Sequence, residues 1–236
     1  MSLPRGLLDR PIAHRGLWQV GGRPENSLAA FRAAAEAGYG IELDVQLSVD
    51  GVPMVFHDDT LERMTAAAGI VEERTADDLQ RLRLLGSDET IPTLAHALAA
   101  IGDQALVLVE LKTPLGQEGP LEEAVADLLA LHSGPAAVIG FNSVSHAWFA
   151  RHFPDLPRGL NVRATGPETP RLTAEERFDT AEPHFLLPGV DMAAAELVLA
   201  RRARGLPSVV WTIRRPVEWD SVRQYADNYI FEDFLP

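Results

Sequence analysis

The chain of 236 residues contains no cysteine. Disulfides, thiolate catalysis and cysteine-ligated zinc or iron–sulfur clusters are therefore excluded. Lysine is almost as scarce: of 21 basic residues, 20 are arginine and one, Lys112, is lysine. A single compact ammonium among so many guanidinium forks points to a position where the two are not interchangeable. No apolar run approaches the ~20 residues of a membrane-spanning helix, and the most continuous, Ala105 to Val109, has the length of a strand. The opening Met1-Ser2-Leu3-Pro4-Arg5 carries no signal-peptide apolar region, so a cytoplasmic location is expected. Positive charge is in deficit too, with 34 acidic residues and a formal net charge of −13. Such a surface repels polyphosphate backbones and argues against nucleic-acid binding. Any phosphorylated substrate then needs a local positive centre, from a metal ion or a few placed cations.

What is present alternates between short β-rich runs and longer amphipathic stretches, the pattern of βα units. Strands are predicted near Ile12–His14, Gly40–Asp44, Ala105–Glu110, Ala136–Phe141, Arg158–Val162, His184–Leu187, Ser208–Thr212 and Asn228–Phe231. Helical patterns fill the intervals, opened by Ser, Thr, Asp or Pro and closed near Gly102, Gly134 and Gly205. This order predicts an α/β fold, a (β/α)8 TIM barrel, with residues 1–236 as one domain of ordinary barrel size. A small polar insertion at about 58–91, after the second strand, would cap the barrel mouth. One segment breaks the alternation. Ile41 to His57 reads as two alternating runs joined at Asp50-Gly51, a strong hairpin signal. With a two-residue turn Val49 pairs with Val52 and His57 lies opposite Asp44. Glu42, Asp44, Gln46 and His57 then share one face, and Leu43, Val45, Met54 and Phe56 the other.

In such barrels the active site lies at the C-terminal ends of the strands. His14-Arg15-Gly16 ends the first strand, Glu42-x-Asp44 the second, and Glu110-x-Lys112 the third, with His57 returning through the hairpin. Taken singly, each has a plainer reading: a Glu-x-Asp is usually a solvated face, and a histidine at a strand end usually packs or caps. Asn26 reads equally as a helix N-cap, and Arg63 and Thr65 as structural. His96, His132, His146, His152 and His184 are given no role. Alternation, however, brings three carboxylates, two histidines, Arg15 and Lys112 to one rim. Three carboxylates sharing a site stay ionised only with a cation among them, and oxygen ligands suit Mg²⁺ or Ca²⁺ better than zinc.

His14-Arg15-Gly16, Pro24-Glu25-Asn26-Ser27, Glu42-Leu43-Asp44-Val45, Asp50-Gly51, His57-Asp58, Ile91-Pro92-Thr93-Leu94, Glu110-Leu111-Lys112 and Trp211-Thr212 follow one another at characteristic spacing. In this the chain resembles the glycerophosphodiester phosphodiesterase family from about Pro11 to Pro236. The resemblance implies a phospholipase-C-like phosphodiesterase barrel that hydrolyses a small-molecule glycerophosphodiester to an alcohol and sn-glycerol 3-phosphate with a bound Mg²⁺ or Ca²⁺. It implies Glu42, Asp44 and Glu110 as metal ligands and His14 and His57 as the acid–base pair, without saying which is acid. It also implies Arg15, Lys112 and Trp211 as phosphate- or substrate-binding residues, and attack by the substrate's own glycerol hydroxyl to give a cyclic phosphate. Three places depart from the family pattern. Met64 stands in an otherwise Arg-Thr-Thr motif, Arg214 stands where Asn is usual, and Glu232-Asp233-Phe234-Leu235-Pro236 replaces Thr-Asp-x-Pro. A fixed cation at Arg214 is expected to disfavour a choline leaving group, unless Arg214 and Arg215 both face solvent. Two other readings stay open: a phospholipase acting on lysolipids or phosphoinositides, and a barrel that binds without catalysis. The first calls for an apolar ledge at the mouth, and the acidic insertion would repel anionic membranes, so no stable membrane association is expected.

Overall fold

The computed structural model describes residues 3–19, 21–164 and 172–236. Among them the chain runs β1 (Ile12–Ala13), α1 (Leu28–Glu36), β2 (Gly40–Leu47), β3 (Pro53–Val55), α2 (Ala76–Leu79), α3 (Leu94–Ile101), β4 (Val107–Leu111), α4 (Pro120–Leu131), β5 (Ala136–Gly140), α5 (Ser143–His152), β6 (Arg158–Val162), α6 (Ala174–Ala181), β7 (Phe185–Pro188), α7 (Glu196–Arg202), β8 (Val209–Ile213), α8 (Pro216–Val222) and β9 (Asn228–Phe231). Every strand but β3 is parallel to its neighbours, in the order β7-β6-β5-β4-β2-β1-β9-β8. Single bridges from Leu186 to Ser208 and from Gly189 to Trp211 bring β7 and β8 together, so the barrel is nearly closed. The eight strands expected of a TIM barrel are all present. No helix among the described residues is long and apolar enough to cross a membrane.

Strands buried on both faces read as near-continuous apolar runs, and here the two faces serve different layers. Ile41, Leu43, Val45, Val107, Val109 and Val138 point outward and pack under the helices with Phe31, Leu94 and Phe149. Ile12, Leu108, Ile139, Phe185, Leu187, Val209 and Ile230 fill the barrel interior. The helices are fixed at their starts by side chains that satisfy otherwise orphaned amides: Ser27 for α1, Thr93 for α3, Asn142 for α5 and Thr173 for α6.

The hairpin exists, but its register differs from the expected one by a residue. Val45 faces Val55, Gln46 faces Met54 and Leu47 faces Pro53. The loop holds three residues, Val49-Asp50-Gly51, because Ser48 N donates to Val52 O at 3.0 Å and Gly51 closes the turn at φ +78°. Asp50 is drawn out of the turn, accepting from Ala76 N at 2.9 Å. A one-residue slip exchanges the faces. Asp44 therefore lies opposite Phe56 rather than His57, Val55 joins Val45, and Met54 and Phe56 turn into a separate apolar cluster with Leu61, Met64, Val71, Leu79, Leu84 and Ile91. That cluster is the core of the 58–91 insertion.

Candidate active site

Period-two alternation carries the interior row of each strand to the mouth. Two residues beyond Ile12 is His14; beyond Leu108 is Glu110; beyond Ile139 is Phe141; beyond Val209 is Trp211; beyond Ile230 is Glu232. Glu42 and Asp44 occupy the corresponding row of β2. The ladders set the lateral neighbours: Asp44 pairs with Glu110, Ile12 with Gly40 on one side and with Ile230 on the other. Continued by two residues, the last two registers place His14 between Glu42 and Glu232.

Glu42 and Asp44 are both 1% exposed and Glu110 8%. One oxygen from each of the three lies within 4.8 Å of the other two. Lys112 Nζ bridges Asp44 Oδ1, at 2.8 Å, and Glu110. Asn26 Nδ2 donates to Asp44 Oδ2 at 2.8 Å, and Asn161 Nδ2 to Glu110 Oε2 at 3.0 Å. Arg15 donates its backbone N–H to Glu42 Oε2 at 3.0 Å, and its Nε lies 3.3 Å from Asp44. Burial works against charge on Asp44, but Lys112, His57 and Arg15 outweigh it and hold this carboxyl well below the usual carboxylate range. Glu42 goes the other way: burial, with Asp44 and Glu110 as like-charged neighbours, pushes its carboxyl well above that range. Its Oε1 is buried and accepts no hydrogen bond. A hard divalent cation held by these three residues would give Oε1 a partner and relieve the repulsion, so the donor set fits such an ion.

The backbone is bent to make this cradle. Arg15 and Asn26 both sit at positive φ, +57° and +54°, and are joined by Asn26 N donating to Arg15 O at 3.0 Å. Asparagine tolerates that region; arginine does so at a cost of about 1 kcal/mol or more, the kind of strain that clusters at functional sites. Gly16 follows at φ +81°, where a Cβ would meet Ala30 backbone at 2.9 Å.

Each histidine is held through Nδ1. His14 contacts Glu232 Oε2 at 2.5 Å, with its Nε2 3.9 Å from Glu42. His57 contacts Asp58 Oδ1 at 2.7 Å. Arg63 clamps Asp58 and then Glu25, at 2.6 Å, and Glu25 accepts from Arg15 at 2.7 Å. A cavity of about 600 Å³ opens above these groups. Its lining also includes the apolar side chains of Leu115, Phe141 and Trp211, with Arg163 lying 4.4 Å over the Phe141 ring and Asn142, Thr212 and Arg214 beside them. Phe141 and Trp211 meet edge to face at 5.6 Å, and Trp211 Nε1 donates to Leu187 O at 2.6 Å.

The sequence profile of the glycerophosphoryl diester phosphodiesterase family matches residues 14–235. The chain belongs to that family. A glycerophosphodiester phosphodiesterase of Caldanaerobacter subterraneus is 31% identical over 237 residues, covering 94% of this chain and 93% of that protein. A phosphodiesterase of Oleispira antarctica, solved in complex with the product sn-glycerol-3-phosphate, is 28% identical with a TM-score of 0.83 over 96% of this chain and 93% of its own. The glycerophosphodiester phosphodiesterase of Thermotoga maritima superposes with a TM-score of 0.76 at 25% identity, covering 95% of each chain.

Within this family member, the structure brings His14, Arg15, Glu42, Asp44, His57, Glu110, Lys112 and Trp211 to one mouth. Asn26 is not the N-cap of α1; Ser27 is, and Asn26 holds Asp44 instead. Arg63 joins the two sides of the rim, whereas Thr65 bonds to Leu61 and Ala67 of its own segment. Arg214 reaches the cavity, but its Nη2 lies 2.6 Å from Glu232, so it faces the mouth as an ion pair and not as a lone cation. Sequence reasoning missed Glu25, Asn161 and Glu232 as site residues. Asn161 and Glu232 both occupy interior-row positions at strand ends, the same signal that found Glu110.

Proposed function

We propose that the protein hydrolyses glycerophosphodiesters to an alcohol and sn-glycerol 3-phosphate. The observation that carries this is the buried trio Glu42, Asp44 and Glu110, with one oxygen unpartnered, set beside two histidines in one cavity. Glu42, Asp44 and Glu110 would hold Mg²⁺ or Ca²⁺, which when bound acts as a Lewis acid toward the phosphodiester oxygens. Lys112 keeps Asp44 ionised and holds Asp44 and Glu110 in place, while Arg15 adds positive charge where the phosphate must sit. One of His14 and His57 takes the proton from the attacking hydroxyl, and the other gives a proton to the departing alcohol. Imidazole as a side chain suits both tasks. Attack by the substrate's own glycerol hydroxyl, through a cyclic phosphate that water opens, suits this pair. Trp211 and Phe141 would contact the leaving alcohol.

The test is release of sn-glycerol 3-phosphate by purified protein supplied with Mg²⁺ from glycerophosphocholine, glycerophosphoethanolamine and glycerophosphoglycerol. Release from at least one is expected; release from none overturns the reading. The apolar side chains of Leu115, Phe141 and Trp211 favour a second substrate class, lysophospholipids. Turnover of lysophosphatidylcholine exceeding that of every water-soluble diester would make it the first.

A further inference from the structure

The two histidines carry the same attachment, built from unrelated parts of the chain. His57 Nδ1 meets Asp58, and Arg63 clamps that carboxylate from behind. His14 Nδ1 meets Glu232 Oε2, and Arg214 lies against the other oxygen, Oε1, at 2.6 Å. Glu232 stands at the end of β9, its own amide donating to Ile213 O at 3.0 Å, which pins it between β1 and β8. Burial opposes its charge, but His14 and Arg214 prevail and lower the carboxyl to about 2. An ionised carboxylate only accepts, so the hydrogen in this bond belongs to His14 Nδ1. Nε2 is then the ring nitrogen left over, on the side of Glu42. Arg214 and Glu232, two separate departures from the family pattern, are thus one physical unit: a carboxylate on the histidine and the cation that holds the carboxylate.

We propose that Glu232 is a positioning residue for His14, fixing its Nδ1–H tautomer and ring tilt so that Nε2 does the proton transfer, with Arg214 locking Glu232 in that role. This rests on the reading of His14 as an acid–base residue, and it moves Arg214 from selecting the leaving alcohol to supporting the chemistry. Loss of the unit then lowers kcat for every substrate by the same factor and leaves KM alone. A leaving-group selector would instead change the ratio between substrates.

The experiment pairs two readouts on the Mg²⁺-supplied protein. The first is nitrogen NMR of histidine-labelled protein at mildly alkaline pH, with the His14 signal identified by its loss in His14→Asn. Wild type is expected to show the Nδ1–H tautomer, the minor form of free histidine, and Glu232→Gln to shift His14 toward Nε2–H. The second is kinetics on glycerophosphocholine and glycerophosphoglycerol. Glu232→Gln should lower kcat at least ~10-fold on both with KM within about threefold, and Glu232→Asp should recover part of the loss. Arg214→Gln should lower kcat less, by the same factor on both substrates. An Nε2–H His14 in wild type, or a kcat in Glu232→Gln within about twofold of wild type, overturns the proposal. A change confined to one substrate in Arg214→Gln overturns the part given to Arg214. Should Glu232→Gln not fold, the wild-type tautomer and the Arg214→Gln kinetics decide. A wild type that hydrolyses no diester contradicts the functional reading, while the tautomer still tests what Glu232 does to His14.

Discussion

The arc of the mouth formed by β1, β2 and β4 ends in His14, Glu42, Asp44, Glu110 and Lys112, whereas the arc formed by β5 and β8 ends in Phe141 and Trp211. Both arise from the same interior row carried to the C-terminal ends of the strands, yet they are held by different forces. On the charged arc each side chain is braced by residues from other elements: Asp44 by Asn26 and Lys112, Glu110 by Asn161, Asp58 and Glu25 by Arg63. Removing one partner leaves a buried charge uncompensated, so damage there spreads. The aromatic arc is held by ring packing, by the Arg163 guanidinium over Phe141 and by a hydrogen bond from Trp211, and its loss changes a local surface. Under the proposed function this division separates the chemistry from the fit to the leaving alcohol.

The largest effect should come from the carboxylate cluster. Asp44→Ala should lower turnover by ~10³-fold or more on every substrate, since the several kcal/mol supplied by a bound cation are lost with its ligand. A substrate-dependent loss, measured by kcat on two diesters, would erase the division between the arcs. Next, His57→Ala should lower kcat by ~10²–10⁴-fold with circular dichroism unchanged. Behind these come the braces. Lys112→Arg and Asn161→Ala should each weaken Mg²⁺ affinity or activity by ~10–100-fold, read by calorimetric titration, because they orient Glu110 without replacing it. A wild-type affinity in Lys112→Arg would return that lysine to a plain surface role. Trp211→Ala should be milder and selective, costing about 1–3 kcal/mol in specificity constant for one leaving alcohol against another. An equal fall in kcat on all substrates would place Trp211 with the charged arc.

The smallest effect sharpens the contrast from the side of stability. Glu42 has a raised carboxyl pKa in the folded state, so in metal-free protein this group holds its proton more tightly in the fold than in the unfolded chain. Its contribution is therefore full below the unfolded carboxyl pKa and is lost as pH rises through the folded one. Glu42→Gln should stabilise chelated protein near neutral pH by about 1 kcal/mol or more, read as a higher Tm, while activity falls. In excess Mg²⁺ the order should reverse, with wild type gaining stability that the variant does not. Thermal unfolding of both proteins in chelator and in Mg²⁺ reads this directly.

The barrel was legible because eight strand patterns alternate with helical ones along the chain, and an error of two residues in any boundary leaves the order intact. Glu110 was legible because Leu108 before it faces inward and Lys112 after it is the single lysine. Asn161 and Glu232 obey the same rule, with Gly159 and Ile230 two residues before them, but Asn161 follows a glycine that marks no inward face and Glu232 stood out only as a departure from the family pattern. The hairpin register was not legible: two- and three-residue loops both accommodate Asp50-Gly51, and the choice is made by Ala76, which recruits Asp50 from a distant turn. Asn26 escaped for a similar reason, since Asn26 and Ser27 can each cap α1 and only the tertiary demand of Asp44 assigns them.

Release of sn-glycerol 3-phosphate from a glycerophosphodiester, followed in excess chelator and after adding back Mg²⁺ or Ca²⁺, tests most directly whether the charged arc is a metal-assisted acid–base centre. Turnover should vanish in chelator and return with either hard ion, and return more weakly with Zn²⁺, which finds no sulfur ligand and only histidines engaged elsewhere. Undiminished turnover in excess chelator would contradict it.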